Sequence, residues 1–185
     1  AGIVNVDTVH KTYGLNGSGQ IVAVCDTGLD TGVNDNSMHA DLRGRILGIF
    51  DVANDGSAAD QNGHGTHVSG SVLGNGALSG GQYSGMAPEA SLIFQAAGNS
   101  YSYLTLPDDL NDLFQQAYDL GARIHTNSWG SSVSGDYTVS SQQVDQFMWE
   151  HPDMLILFSA GNSGVDSNED GVVDQDSLGA PATAK

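Results

Sequence analysis

Gln20-Ile-Val-Ala-Val-Cys-Asp-Thr-Gly-Leu-Asp30 places an unbroken apolar run directly before a carboxylate and a glycine turn. A run this short, rich in β-branched residues and lacking polar alternation, reads as a strand buried on both faces. Such strands belong to parallel sheets covered by helices on each side, so this stretch decides the fold class. Similar runs occur at 91–95, 124–128 and 154–160. Between them lie helical patterns. Over 107–120 the apolar residues are Leu110, Leu113, Phe114, Ala117 and Tyr118, the stripe of an amphipathic helix. Pro107, Asp108 and Asp109 suit its first turn and Gly121 its end. A second helix is expected over 139–150, with Val144, Phe147 and Met148 inward, and a third begins near His64.

Strands alternating with helices predict an α/β fold, a three-layer arrangement of a mostly parallel sheet with helices on both faces. One domain spanning 1–185 is the simplest organisation, since a chain of this length buries a real core. In open sheets of this kind functional groups collect at the carboxyl ends of the strands. Asp26, Ser128 and residues 159–162 all fall there.

Composition narrows the partners. The chain carries 22 acidic and 5 basic residues, a formal net charge of −17. Such a surface repels phosphate backbones and anionic lipid, which argues against nucleic acid and against a membrane partner. No apolar run approaches the roughly 20 residues of a membrane span. Cys25 is the single cysteine, so no intrachain disulfide forms, and its apolar surroundings predict a buried, inert thiol.

The chemistry-bearing residues come in three fragments. Asp26 ends the first strand, with Gly28 allowing the turn that fixes the carboxylate at the sheet edge. His64 opens Asn62-Gly-His-Gly-Thr-His-Val-Ser-Gly70, whose small residues let a starting helix lie close to its neighbours. Asn162, in Leu157-Phe-Ser-Ala-Gly-Asn-Ser-Gly164, sits just past a strand, where its amide can donate to a developing oxyanion. An acid, an imidazole and such a donor are the groups that activate a hydroxyl nucleophile toward a carbonyl. Singly, each has a plain alternative: an aspartate after a strand often caps a turn, and a histidine is often structural.

Together and in this order, Asp-Thr-Gly-Leu-Asp, His-Gly-Thr-His-Val and Ser-Ala-Gly-Asn resemble the subtilisin-like serine proteases, or subtilases. Met86-Ala-Pro88, Ile124-His-Thr-Asn-Ser-Trp-Gly130 and Ala180-Pro-Ala-Thr-Ala-Lys185 extend the resemblance toward the alkaline, oxidatively stable bacterial enzymes of the KP-43 type. The resemblance implies a secreted, extracellular endopeptidase of subtilisin-like fold. In it Asp26 orients the imidazole, His64 is the general base, His67 is a structural neighbour and Asn162 is the oxyanion donor. It further implies that Ser128, Trp129 and Gly130 form one wall of a substrate pocket and Ser159, Ala160 and Gly161 the other. The stretch 97–102 is expected to pair with the backbone of a protein or peptide substrate by strand addition.

One element of the pattern is missing from these 185 residues: no Gly-Thr-Ser-Met-Ala-like motif occurs. Thr66 is followed by His67, and Ser163 follows the oxyanion asparagine, so neither replaces the nucleophile. The catalytic fold is therefore expected to be incomplete, with the serine carried by a C-terminal chain or segment. An inactive, peptide-binding or propeptide-binding subtilase scaffold is the alternative. A zinc site built from Asp26, His64 and His67 is a third reading, though it leaves the glycine and oxyanion motifs without a purpose.

A separate stretch, Asp166-Ser-Asn-Glu-Asp-Gly-Val-Val-Asp-Gln-Asp-Ser177, has the Asp-x-Asn-x-Asp-Gly opening of a calcium loop. The expected Ca2+ ligands are Asp166, Asn168, Asp170, the carbonyl of Val172, Asp174 and Asp176. Ser177 replaces the usual bidentate glutamate. A solvated acidic turn is the alternative. Asp41, in His39-Ala-Asp-Leu42, matches a second calcium-ligating context of the same family.

Overall fold

The computed structural model describes residues 4–99, 101, 103–173 and 177–185. Five strands form one parallel sheet: β1 (Ile21–Asp26), β2 (Ile46–Asp51), β3 (Ser91–Ala96), β4 (Ile124–Asn127) and a further strand, Leu155–Phe158. A short strand, β5 (Ser131–Ser132), precedes the last of these, which is therefore β6; β7 (Gly179–Ala180) pairs antiparallel with β5. The main sheet runs in the order β2-β3-β1-β4-β6, with β1 at its centre.

The apolar run at 21–25 is buried on both faces, as its lack of alternation predicts. Val22 and Val24 face one way, where they pack with Leu92 and Phe94 of β3, Leu73 of helix α2 (His64–Leu73), and Leu29, Met38 and Leu42 of the segment after β1. Ala23 and Cys25 face the other way. There α3 (Leu110–Asp119) and α4 (Val139–Glu150) contribute Leu113, Phe114, Ala117, Val144 and Phe147. The result is the expected three layers, with helices on both faces.

Helix ends follow local chemistry. Asp109 is the N-cap of α3, not a member of its first turn, and accepts the Asn111 N–H at 2.9 Å. Thr138 and Ser141 close a capping box on α4. Several elements lie outside the sequence expectation, the short β5 and β7 among them. Helix α1 (Val6–Tyr13) has no buried residue and is tied down where His10 Nε2 meets the Met86 carbonyl at 2.8 Å. Strand β2 lies at the sheet edge, with an irregularity in its pairing between Ile46 and Gly48. At the opposite edge Leu155 and Leu157 of β6 point to the α2 side and stay about half exposed. No helix among the described residues is long and apolar enough to cross a membrane.

Candidate active site

Strand β1 delivers Asp26 to the carboxyl edge of the sheet, where it is almost fully buried. Its Oδ1 lies 2.7 Å from His64 Nδ1 and also accepts the Thr27 N–H at 2.7 Å. A carboxylate only accepts, so the imidazole proton sits on Nδ1 and the lone pair on Nε2. The side chain of His64 is 48% exposed, which leaves that lone pair open to an incoming group. Asp26 Oδ2 is buried with no partner among the described residues.

His64 is the first residue of α2, and the start of this helix is held from outside. The N-cap, Gly63, adopts a left-handed conformation with φ of 88° and supplies no side chain. The free N–H groups of the first turn are met instead by two side chains outside the helix, Thr27 far back in the chain and Asp60 just before it. Gly65 N–H donates to Thr27 Oγ1 at 2.9 Å, and Thr66 N–H to Asp60 Oδ2 at 2.8 Å. The Asp60 carboxylate also receives the hydroxyls of Thr66 (2.6 Å) and Thr27 (2.8 Å) and the Gly63 N–H (2.8 Å). Burial alone pushes its carboxyl toward the neutral form. The hydrogen bonds from Thr66, Thr27 and Gly63 outweigh that and hold its pKa below the usual carboxylate value.

Asp60 thus ties the turn after Asp26 to the helix that begins with His64. Sequence reasoning missed it. The available signal was an aspartate shortly before a helix whose own cap position is glycine. Close approach completes the clamp: a Cβ on Gly65 would collide with the Gly28 carbonyl and lie 3.1 Å from the Asp26 Cβ.

The other expected site residues follow β4 and β6 on the same edge. Trp129 donates its indole N–H to the Cys25 carbonyl at 3.0 Å and packs edge-on against Phe158, with ring centroids 5.0 Å apart. Ser159 N–H donates to the Asn127 carbonyl, and Gly179 N–H to that of Ala160. Ser128 is half-buried, whereas Gly130 and 159–162 are exposed. Asn162 lies four residues beyond β6, and β6 is two strands from β1, a separation of about 10 Å at ordinary strand spacing. The Cys25 thiol is fully buried, and burial, with Asp26 beside it, pushes its pKa up and keeps it unreactive.

Residues 97–99 form one side of a hairpin. Thr105 N–H donates to the Ala97 carbonyl and Asn99 N–H to that of Tyr103. By strand alternation, Gly98 directs its N–H and C=O to the opposite edge. Ser100 and Ser102 lie outside the described residues.

In the acidic stretch, Asp166 accepts the N–H groups of Asp170 (3.0 Å) and Gly171 (2.9 Å), and Asp170 that of Val172 (2.8 Å). Asn168 Oδ1 accepts the Asp170 N–H, and its Nδ2 donates to Asp170 Oδ2. These bonds close a turn around its own backbone. Asp174 and Asp176 lie outside the described residues. Asp41 accepts the Leu78 N–H. Among the described residues no three His, Cys, Asp or Glu side chains gather to hold a metal, so Asp26, His64 and His67 form no zinc centre.

A model of the subtilase family matches residues 17–185. The chain belongs to the subtilase family. This subtilase is 34% identical over 173 residues to the subtilisin of Bacillus sp. strain TA39, covering 88% of the chain and 38% of that protein. It is 31% identical over 164 residues to the Dictyostelium discoideum serine protease/ABC transporter B family protein tagA, covering 84% of the chain and 9% of that protein. Among solved structures, sphericase superposes with a TM-score of 0.63 at 26% identity, covering 96% of the chain and 56% of sphericase. The subtilase chain therefore has a subtilisin-like fold and spans about half the length of sphericase and less of the other two.

Proposed function

We infer that this chain forms the acid, base and oxyanion part of a serine endopeptidase, which cleaves peptide bonds by acyl transfer. The observation that carries the reading is the 2.7 Å contact between His64 Nδ1 and Asp26 Oδ1 at the carboxyl edge of a subtilase sheet. With Nδ1 anchored, Nε2 takes the proton from a serine hydroxyl as the oxygen attacks the substrate carbonyl. The imidazolium that forms is stabilised by the Asp26 carboxylate. His64 then returns the proton to the departing amine as the carbon–nitrogen bond breaks, and water releases the acyl group in the reverse sense. Asn162 donates its amide to the tetrahedral oxyanion.

The serine is supplied by a segment outside these 185 residues. Ser128, Trp129 and Gly130 on one side and Ser159, Ala160 and Gly161 on the other border the substrate, and Gly98 offers its free edge to the peptide backbone. The acidic loop of Asp166, Asn168, Asp170, Val172, Asp174 and Asp176 takes up Ca2+ as a structural ion; the turn that already orients Asp166, Asn168 and Asp170 supports this reading. The enzyme acts outside the cell, in keeping with its acidity.

Labelling with a serine-directed phosphonate tests the assignment. The chain together with its serine-bearing segment is expected to take one equivalent, and His64→Ala to abolish uptake. No uptake by the unsubstituted protein overturns the reading.

A further inference from the structure

Asparagine precedes glycine at Asn16-Gly17, Asn62-Gly63 and Asn75-Gly76. The last two pairs bracket α2, one just before His64 and one just after Leu73. A glycine in second place has no Cβ to block its own nitrogen, which can close on the asparagine side chain. In that reaction the glycine nitrogen bonds to the side-chain amide carbon, the bond from that carbon to its own nitrogen breaks, and ammonia leaves with the glycine N–H proton. Water then opens the resulting cyclic imide to aspartate or to isoaspartate, which carries one more carbon in the backbone. By residue type the three pairs are equivalent.

Their surroundings differ. Asn62 is exposed, but the nitrogen that would attack it is occupied: Gly63 N–H donates to Asp60 Oδ1 at 2.8 Å, and the Asn62 N–H reaches the same oxygen at 3.2 Å. Attack requires that bond to break. The carboxylate also repels the negative charge that grows as the ring closes. Asn75, exposed as well, has the opposite arrangement. Gly76 N–H meets no acceptor among the described residues, and Asn75 Oδ1 accepts the Ala77 N–H at 2.9 Å. That donor turns the side chain along its own backbone and stabilises charge developing on Oδ1 during attack. Asn16 is restrained differently, its amide nitrogen donating to Glu89 Oε1 at 3.3 Å.

We propose that Asn75 is a site of spontaneous deamidation, and that Asp60 suppresses the same reaction at Asn62, beside His64. Conversion at Asn75 sets a new carboxylate next to Asp41, whose carbonyl accepts the Asn75 N–H at 3.0 Å, at the end of α2 remote from His64. The inference is independent of the endopeptidase reading.

The test incubates the protein at mildly alkaline pH, with a serine-directed phosphonate present to stop any self-cleavage. Acid digestion and mass spectrometry then follow the three asparagine peptides and their isoaspartate forms. Asn75 is expected to convert at least about ten-fold faster than Asn62, the cost of breaking a hydrogen bond to a charged acceptor. In urea the rates at Asn62 and Asn75 should come together. Asp60→Ala should speed conversion at Asn62 by about ten-fold or more without a matching rise at Asn16, and Asp60→Asn by less, since an amide oxygen still accepts. Asn62 converting as fast as Asn75 in the folded protein, a rate at Asn62 unmoved by Asp60→Ala, or a rise shared equally by Asn16 overturns the proposal.

Discussion

Asp60 Oδ2 receives both polar groups of Thr66, the backbone N–H at 2.8 Å and the hydroxyl at 2.6 Å, and so fixes the first turn of the helix that carries His64. Asp60→Ala leaves these donors and the Thr27 hydroxyl without their acceptor. The expected cost is about 1–3 kcal/mol in urea unfolding. Peptide hydrolysis should lose kcat more than KM changes, because the imidazole is misplaced while the substrate walls stay intact. Asp60→Asn should fall between, since an amide offers one accepting oxygen.

Acid should weaken the fold through a histidine remote from the site. His125 is fully buried, edge-on to Phe114, with Nε2 2.8 Å from Gln95 Oε1. Burial lowers its pKa from 6.5 to about 3. Its neutral form therefore stabilises the fold above pH 6.5, and that contribution is lost as the pH falls toward 3, by about 1.4 kcal/mol per unit. Asp60, also held low, adds its loss only below the ordinary carboxylate range. Urea midpoints measured from pH 7 to 4 should decline. In His125→Gln the decline should flatten between pH 6.5 and 4.5, whatever the variant's stability at pH 7.

Gly65 sits where backbone meets backbone. Gly65→Ala drives a methyl group into the Gly28 carbonyl. It is expected to destabilise by about 1–3 kcal/mol and to move His64 off Asp26. Gly70→Ala, whose added Cβ meets nothing within 4 Å, is the control on the same helix and should hold or slightly raise the thermal midpoint, since alanine favours the helix over glycine.

Much of this was legible in the residues. The run at 21–25 announced a central strand because both of its faces are buried, and the Asp26 and His64 motifs lie on the elements that bring them together. Helix α1 was not legible because it buries nothing, so its apolar side carries no core signal. Strand β2 has an apolar run, but Gly48 interrupts it. A Cβ there would meet the Phe50 ring at 2.6 Å, and the pairing shifts at that point. Asp60 escaped notice because its partners are backbone N–H groups and two threonine hydroxyls, which no spacing rule connects. The acidic loop declared its residue types, whereas ligand convergence depends on Asp174 and Asp176, beyond the described residues.

Calcium binding is expected to show as a rise in the thermal midpoint on adding Ca2+ to chelator-treated protein, and Asp166→Ala should remove that rise. An equal rise in the variant would show that the acidic loop is not the source of the effect.

The Asp26–His64 contact is tested most directly by the kinetics of Asp26→Asn, His64→Ala and the double variant, each assayed on one peptide with the serine-bearing segment present. Groups that act as one unit lose activity together. His64→Ala is expected to lower kcat by about a million-fold, the magnitude known for subtilisin itself, and Asp26→Asn by about ten-thousand-fold, the magnitude known for that change in a chymotrypsin-type triad, with the double variant no worse than His64→Ala. Losses that multiply in the double variant, or a His64→Ala protein within ten-fold of the parent, would contradict the account.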